Sequence, residues 1–286
     1  MTVELGAFVV PDASDPAAVL DQVAAAERGG LELVGIQDHP YNRRQLDTFA
    51  LLAFLAGRTE RVRLFPDVAN LPLRHPAMIA KAAATIDVLS GGRFELGLGA
   101  GAFWDGIAAF GGPRHSGPES VDALEEAIAI LRACWAGQRS VTFEGEQYRV
   151  HGLKFGPLPA HRIGIWLGAY GPRMMGIVGR LADGWLPSLP RLPLEEVPGR
   201  VQMIEQAAER AGRDPQSIRR IANVNGVIAD GPVTGWLHGP PEHWIAELGA
   251  LAADGSFDGF VLWSEGEMVE QIGRFAAEVA PALRSG

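Results

Sequence analysis

Two apolar runs, residues 62–68 and 94–98, flank a helix-length segment that opens at Pro76, and no other pattern in the chain restricts its fold as much. Both runs are apolar almost throughout, as parallel strands covered on both faces must be. Between them Ile79, Ala82, Ala83, Ile86 and Leu89 recur at helical spacing, so one face of the segment packs back on the sheet. Pro76 suits the first helical position, where the N–H it lacks would have had no partner. Gly91 and Gly92 end the helix, because glycine accepts the left-handed cap conformation. Together these residues make one strand–helix–strand unit.

The rest of the chain repeats that unit. A strand at 5–10 leads to a helix opened by Asp15 and Pro16 and closed by Gly29 and Gly30. A second strand, 33–37, ends on Asp38 and His39, and Asp47 caps the next helix. After residue 98 the rhythm breaks in GAGAFWDGIAAFGGPRHSGP, a long connection of the kind that is usually functional or mobile. A fourth helix is expected over 119–135. The stretch SVTFEGEQYRVHGLKFGPLP then alternates at period two about Glu144-Gly145, reading as a small hairpin outside the sheet. Further strands are expected at 163–167, 184–186, within 220–228 and at 259–262. Helices are expected at 173–181, 194–211, 241–253 and 268–280, with an irregular GPVTGWLHG after the seventh strand.

Eight strands alternating with eight helices close naturally into an α/β fold, a single (β/α)8 TIM barrel spanning residues 1–286. It carries insertions after strands 4 and 7 and the hairpin before strand 5. An open doubly wound sheet would show a dinucleotide fingerprint at its first strand, and LGAFVVPDASDP has none. The glycines Gly97, Gly99 and Gly101 are one place short of that fingerprint and follow the fourth strand instead.

A net charge of −9 disfavours nucleic acid and anionic membranes as partners. No run approaches the ~20 apolar residues of a membrane span, and no leader pattern follows Met1, so a cytoplasmic protein is expected. Cys134, the one cysteine, lies at helical spacing with Ile130 and Leu131 and reads as a packing residue. There is no HExxH, no cysteine pair and no histidine cluster for a metal, no GxSxG elbow and no Walker loop.

Polar and glycine residues gather after the strands: Asp38 and His39, Asn70, Gly99 and Gly101, Tyr170 and Gly171, then Ser188. In a barrel these positions share the C-terminal mouth, where such enzymes react. Imidazole titrates near neutrality, so His39 either handles a proton there or merely ties down a strand end. The turn GAYGPRMM feeds a helix starting near Pro172. Its free N–H groups and helix dipole, with Arg173, suit a phosphate.

The DH pair, LPLRHPAMIAKAAATIDVLSGGRFELGLGAG, GAYGPRMMGIVGRLADGWLPS and FDGFVLWSEG with RFAAEVAPALR resemble the bacterial luciferase-like monooxygenase superfamily over nearly the whole chain. The resemblance implies an oxidoreductase with a redox ring in the barrel mouth, either the deazaflavin coenzyme F420, slightly favoured by the DH pair and Ser188, or FMN. With F420 the reaction is hydride transfer to or from a small organic substrate. With FMN, a separate reductase supplies reduced flavin for oxygen chemistry.

It puts His39 near the reactive centre, and leaves Asp38 either orienting the ring or bonding the backbone. Asp67, Val68 and Ala69, with Asn70 beyond them, form a bulge behind the ring, often with a non-proline cis peptide, expected at or next to Asp67-Val68. Gly99 and Gly101 let backbone approach the cofactor. Gly168, Ala169, Tyr170 and Gly171 hold the ribityl phosphate, and Ser188 approaches it. His75 reads as the start of the third helix. Arg191 either reaches an anion or is solvated, and Phe103, Trp104, Phe110, Trp185 and Trp263 either line a substrate pocket or pack. A homodimer through helices near strands 2 and 3 is expected, and the alternative to an enzyme is a non-catalytic flavin-binding barrel.

Overall fold

The computed structural model describes residues 3–285. Eight parallel strands form its ring: β1 (Glu4–Val9), β2 (Leu33–Ile36), β3 (Arg63–Pro66), β4 (Leu96–Gly99), β5 (Ile165–Leu167), β6 (Gly184–Trp185), β7 (Arg219–Ile228) and β8 (Gly259–Ser264). Each is followed by a helix on the outside: α1 (Pro16–Arg28), α2 (Thr48–Ala56), α3 (Pro76–Ser90), α4 (Gly117–Trp135), α5 (Pro172–Leu181), α6 (Val197–Arg210), α7 (Pro241–Ala253) and α8 (Met268–Arg274). Each strand pairs with its sequence neighbours, and β1 pairs with β8, so the expected TIM barrel is the fold. No helix among the described residues is long and apolar enough to cross a membrane.

The ring closes where the sequence suggested one uninterrupted strand. β3 stops at Pro66 rather than Val68, after pairing with β2 in register Leu33↔Arg63 to Ile36↔Pro66. The Asp67 N–H still donates to the Ile36 carbonyl at 2.7 Å. On its other side Leu64 bridges to Phe94, just before β4, and beyond Val68 the chain pairs with β4 itself through Ala69–Asn70. The peptide between Asp67 and Val68 is cis, as expected from the resemblance. One segment thus pairs with β2 on one side and with the β4 run on the other, through Leu64 below the cis peptide and Ala69–Asn70 above it, and so closes the ring.

Inside the ring, Phe8, Leu33, Phe65, Trp166, Leu186, Ile221 and Val261 form a core separate from the larger layer between strands and helices. Large side chains there face glycines on neighbouring strands. A methyl on Gly6 would lie 2.6 Å from Leu33, on Gly35 2.8 Å from Phe65, and on Gly184 2.6 Å from Trp166. This alternation of large and absent side chains fills a narrow barrel at native density. At the N-terminal base the ring is closed by charge. Glu95, Arg63, Glu4, Arg219 and Asp258 pair in sequence across β4, β3, β1, β7 and the start of β8.

Local signals explain most helix ends. The Asp15 and Asp47 carboxylates accept the N–H groups of Ala18 and Ala50, and Gly91 caps α3 at φ 70°. The fourth helix begins earlier than the expected residue 119, because Ser116 and Glu119 form a reciprocal capping box before Pro118. The hairpin joins Val141–Glu144 to Arg149–Leu153. Its turn lies just beyond Glu144-Gly145, where Glu126 of α4 accepts three backbone N–H groups. The final helix is not continuous over 268–280. After α8 it widens to i→i+5 bonding over Phe275–Val279 before Ala280–Ser285, since Pro281 has no N–H to offer one turn back.

Gly97→Ala would set a methyl 2.1 Å from the Pro66 carbonyl oxygen, an overlap relieved only by moving β3 away from β4. Equilibrium denaturation is expected to show a loss of about 2–3 kcal/mol or more. Gly176→Ala on the open face of α5, where nothing lies within 4 Å, is expected to stabilise by about 0.5–1 kcal/mol. Equal effects would refute the packing described.

Candidate active site

The polar groups of the mouth begin in β7. Ile221 points into the ring, so Asn223 and Asn225, at the same parity, point inward nearer the C-terminal rim. Asn223 is 2% exposed, and its Nδ2 donates across the ring to Asp67 Oδ1 at 3.0 Å and to Ser188 Oγ at 3.3 Å. The Ser188 N–H in turn donates to the Tyr170 hydroxyl at 2.9 Å. Asp67 lies above Phe65, its Oδ2 filling the space opened by Gly35. Burial pushes its carboxyl up to about 7, against the hydrogen bond from Asn223. Asp67 Oδ2, Asn70 Oδ1 and Asn223 Oδ1 are all buried with no hydrogen-bond partner. Unpaired buried acceptors cost about 1–3 kcal/mol each, so three together mark a place not built for stability alone.

Asp38 belongs to a neighbouring network. Its Oδ2 accepts from the Asn70 N–H at 2.8 Å and its Oδ1 from Arg74 Nη2 at 2.9 Å. Arg74 continues to Asp47 Oδ2 at 2.8 Å and lies over the Phe49 ring. Of the two readings of Asp38, the geometry displays the bond to neighbouring backbone. It ties the end of β2 to the turn after β3.

His39 stands beside it, half-buried, with Nδ1 2.5 Å from the Tyr41 hydroxyl. Burial lowers its titration below the usual 6.5; Asp38 opposes that shift and Arg191 reinforces it. Burial pushes Tyr41 up to about 12, so it keeps its proton. With the phenol donating to Nδ1, Nε2 carries hydrogen; with the phenol accepting, Nε2 is the base. The pair therefore serves a proton transfer in either direction.

The glycines of the mouth make room for one residue. A methyl on Gly99 would meet Val68 Cγ2 at 2.7 Å, and one on Gly168 would meet it at 3.2 Å. Val68 is half-buried between them. Ala69 and Ala169 are sealed in the helix-facing layer, leaving only their backbone to present. Gly101, at φ 106°, turns toward Pro72 and Trp104 rather than into the mouth. Gly171 precedes Pro172 as an extended N-cap without a side-chain bond, so the first-turn N–H groups of α5 have no side-chain cap.

The other residues singled out in the sequence take the following places. Arg173 pairs with Asp122 and donates to the Pro118 carbonyl instead of reaching back over the turn. Trp185 is fully buried outside the ring, stacked on Phe257 with Nε1 on the Ala169 carbonyl. Trp104 packs edge-on to His115. Trp263 lies over Phe8 at 5.4 Å and Phe103 lies edge-on to His39, so these two aromatics do reach the mouth. His75 caps α3, as expected, with Nδ1 accepting from the Ala77 N–H. Asn223, Arg74 and Tyr41 were missed. The alternating NVNG of β7 was a legible signal for the first, while nothing local marked the other two. No group of His, Cys, Asp or Glu among the described residues could hold a metal.

A carboxyl that ionises near 7 when folded and near 3.8 when unfolded favours the fold only while protonated. That contribution is whole below about pH 4 and is lost as pH rises to about 7, at about 1.4 kcal/mol for each pH step of one. Asp67→Asn keeps an acceptor for Asn223, and its stability relative to the parent is expected to rise across that window by a few kcal/mol. Parallel denaturation profiles from pH 4 to 8 would contradict the burial of this charge.

Residues 2–277 match the family described as luciferase-like monooxygenase. The chain is 34% identical over 206 residues to the 5,10-methylenetetrahydromethanopterin reductase of Methanolobus tindarius, covering 72% of this chain and 60% of that protein. It is 30% identical over 228 residues to the F420-dependent glucose-6-phosphate dehydrogenase of Nocardia farcinica, covering 77% and 68%. Against the dehydrogenase of the same name from Intrasporangium calvum the match spans 53% of that protein, so the chain covers little more than half the length of some of these relatives. A solved F420-dependent secondary alcohol dehydrogenase superposes with a TM-score of 0.88 at 19% identity, covering 99% of this chain and 100% of that one. The F420-dependent tetrahydromethanopterin reductase of Methanopyrus kandleri superposes at 0.84 and 21% identity, covering 99% and 100%. Identities this low speak for the fold, and the match of the family model over 2–277 carries the conclusion: the chain belongs to the luciferase-like monooxygenase family.

Proposed function

We propose that the protein is an oxidoreductase that binds coenzyme F420, in preference to FMN, in the mouth of its barrel. It moves a hydride between that ring and a small organic alcohol or carbonyl compound. The carrying observation is His39, half-buried with Nδ1 engaged by Tyr41, at a rim whose floor holds three unpaired acceptors. The residues fit a flat heterocycle with N–H and carbonyl groups along one edge. Val68 would buttress its face, with Gly99 and Gly168 contributing no side chain beside it. Asn70, Asn223 and Ser188 would supply polar partners, with Asp67 beneath them. Backbone of Gly168, Ala169, Tyr170 and Gly171 and the N-terminus of α5 would take a phosphate. Asp38 supports this seat through Asn70, and Gly101 through the turn it makes. Curated relatives named as F420-dependent support the choice of coenzyme.

When bound, the deazaflavin supplies a carbon that accepts or returns a hydride. His39 Nε2 takes the hydroxyl proton as the alcohol carbon loses hydride and its C=O bond forms; for a carbonyl substrate it gives that proton back. The apolar rings of Phe103 and Trp263 keep water from the reacting atoms. The same reading makes residues 1–286 one cytoplasmic domain served by a separate F420 or flavin reductase. It also pairs two copies through α2 and α3, where Phe54, Met78, Val88 and Leu89 are exposed.

Side-by-side fluorescence titration is expected to give F420 a dissociation constant at least about tenfold below that of FMN; failure of both to bind would end the proposal. His39→Ala is expected to cut kcat by about 10²–10⁴ with F420 affinity retained. Because burial holds the His39 titration below the usual imidazole range, alcohol oxidation by the parent is expected to be level at neutral pH and to fall only on the acid side. Unchanged turnover in the alanine variant would remove His39 from the chemistry.

A further inference from the structure

We propose that Phe103 is a positioning residue for His39: the segment after β4 holds it in a left-handed backbone conformation so that its ring shields the imidazole from water and keeps it against Tyr41. The inference deepens the activity proposed above and rests on it for its purpose. Phe103 breaks two local rules at once. Its backbone sits at φ 52°, ψ 52°, a region that bulky side chains avoid. It is also the N-cap of the helix Trp104–Ala109, a position that favours Ser, Thr, Asp, Asn or Gly, and it makes no capping hydrogen bond. Burial does not explain the choice, because the side chain is 53% exposed. Contact does. Its ring meets His39 edge-on with centroids 5.5 Å apart and Tyr41 at 6.0 Å.

The segment is anchored so that this contact is held. Ile107 is fully buried. Gly112 fits under Leu73, and Gly101 under Pro72, where a methyl would fall 2.6 Å away. Gly106 lies against Tyr41, where a methyl would overlap the ring at 2.7 Å from Cγ. The short helix thus grips Tyr41 from one side while Phe103 covers His39 from the other. A phenyl at an otherwise unfavourable backbone position, aimed at a proton-handling pair, fits the rule that local conflicts gather where function demands them.

Asp38 from its own strand end, Tyr41 from its own loop and Arg191 from the segment after β6 are the titratable or charged groups that bear on His39. Phe103 carries no charge, so its removal changes the hydration of the imidazole and leaves the surrounding charges in place. The test is an NMR titration of the His39 ring nitrogens in the full chain without coenzyme. Phe103→Gly suits the left-handed backbone and is expected to fold with unchanged or higher Tm. Its His39 midpoint is expected to rise toward 6.5 by at least about half a pH unit, roughly a threefold change in proton affinity. Phe103→Ala deletes the same ring and is read the same way should the glycine variant fail to fold, and Phe103→Leu is expected to restore the low midpoint. A folded ring-deleted variant whose His39 titrates with the parent's would overturn the proposal. The measurement uses no coenzyme, so that result is distinct from a failed F420 titration.

Discussion

A ring of parallel strands has to find a backbone partner for every strand on both sides, and in this chain that demand is met at one segment. Residues 63–66 bond to β2, and the same segment reaches the β4 side through Leu64 and again through Ala69–Asn70. At Asp67 and Val68 the cis peptide interrupts the regular pairing, and their side chains are kept for the barrel interior and its rim. What the sheet gives up in regularity there becomes the floor of the mouth. Asp67 reaches across to Asn223 and Val68 settles between Gly99 and Gly168. The closing of the barrel and the building of the candidate site are therefore one structural event.

The two ends of the barrel differ in how their polar groups are paired, by ions at the base and by neutral hydrogen bonds at the mouth. At the base, Glu95, Arg63, Glu4, Arg219 and Asp258 are paired from strand to strand, and His161 bonds the fully buried Asp87 at 2.7 Å beside them. Charge-paired networks of this kind hold a defined arrangement in a low-dielectric interior, with Glu4 Oε2 and His161 Nε2 left without hydrogen-bond partners but within reach of opposite charge. At the mouth, three buried acceptors go without donors and a carboxyl is held near neutrality in its titration. Such unfavourable groups persist where function uses them, with stability supplied elsewhere in the fold.

The segment after β4 shows how an irregular insertion acquires a role. It has no place in the repeating strand–helix plan, yet it packs against the loops that follow β2 and β3 and so braces those loops beyond the point where the sheet pairs their strands. The histidine at the end of β2 is thereby placed by three elements: its own strand, the turn held by Asp38 and Arg74, and the ring of Phe103. Precision at a loop comes from such cross-bracing more than from the loop's own sequence.

Apolar runs, proline openings and glycine stops each act within a few residues of themselves, so the order of strands and helices, the barrel they imply and the gathering of His39, Asn70, Gly168 and Ser188 at one rim were legible in the chain. The family motifs carried the bulge at Asp67-Val68. Tertiary structure alone decided that β3 ends at Pro66 and pairing resumes at Ala69, that Asp67 meets Asn223 across 156 residues of sequence, and that Arg74 engages Asp38. It also turned Arg173 and Trp185 away from the mouth. The division has a physical cause. Periodicity and capping are properties of local backbone, which the sequence states directly. Hydrogen bonds across a closed ring depend on register and curvature, and those exist only once all eight strands have come together.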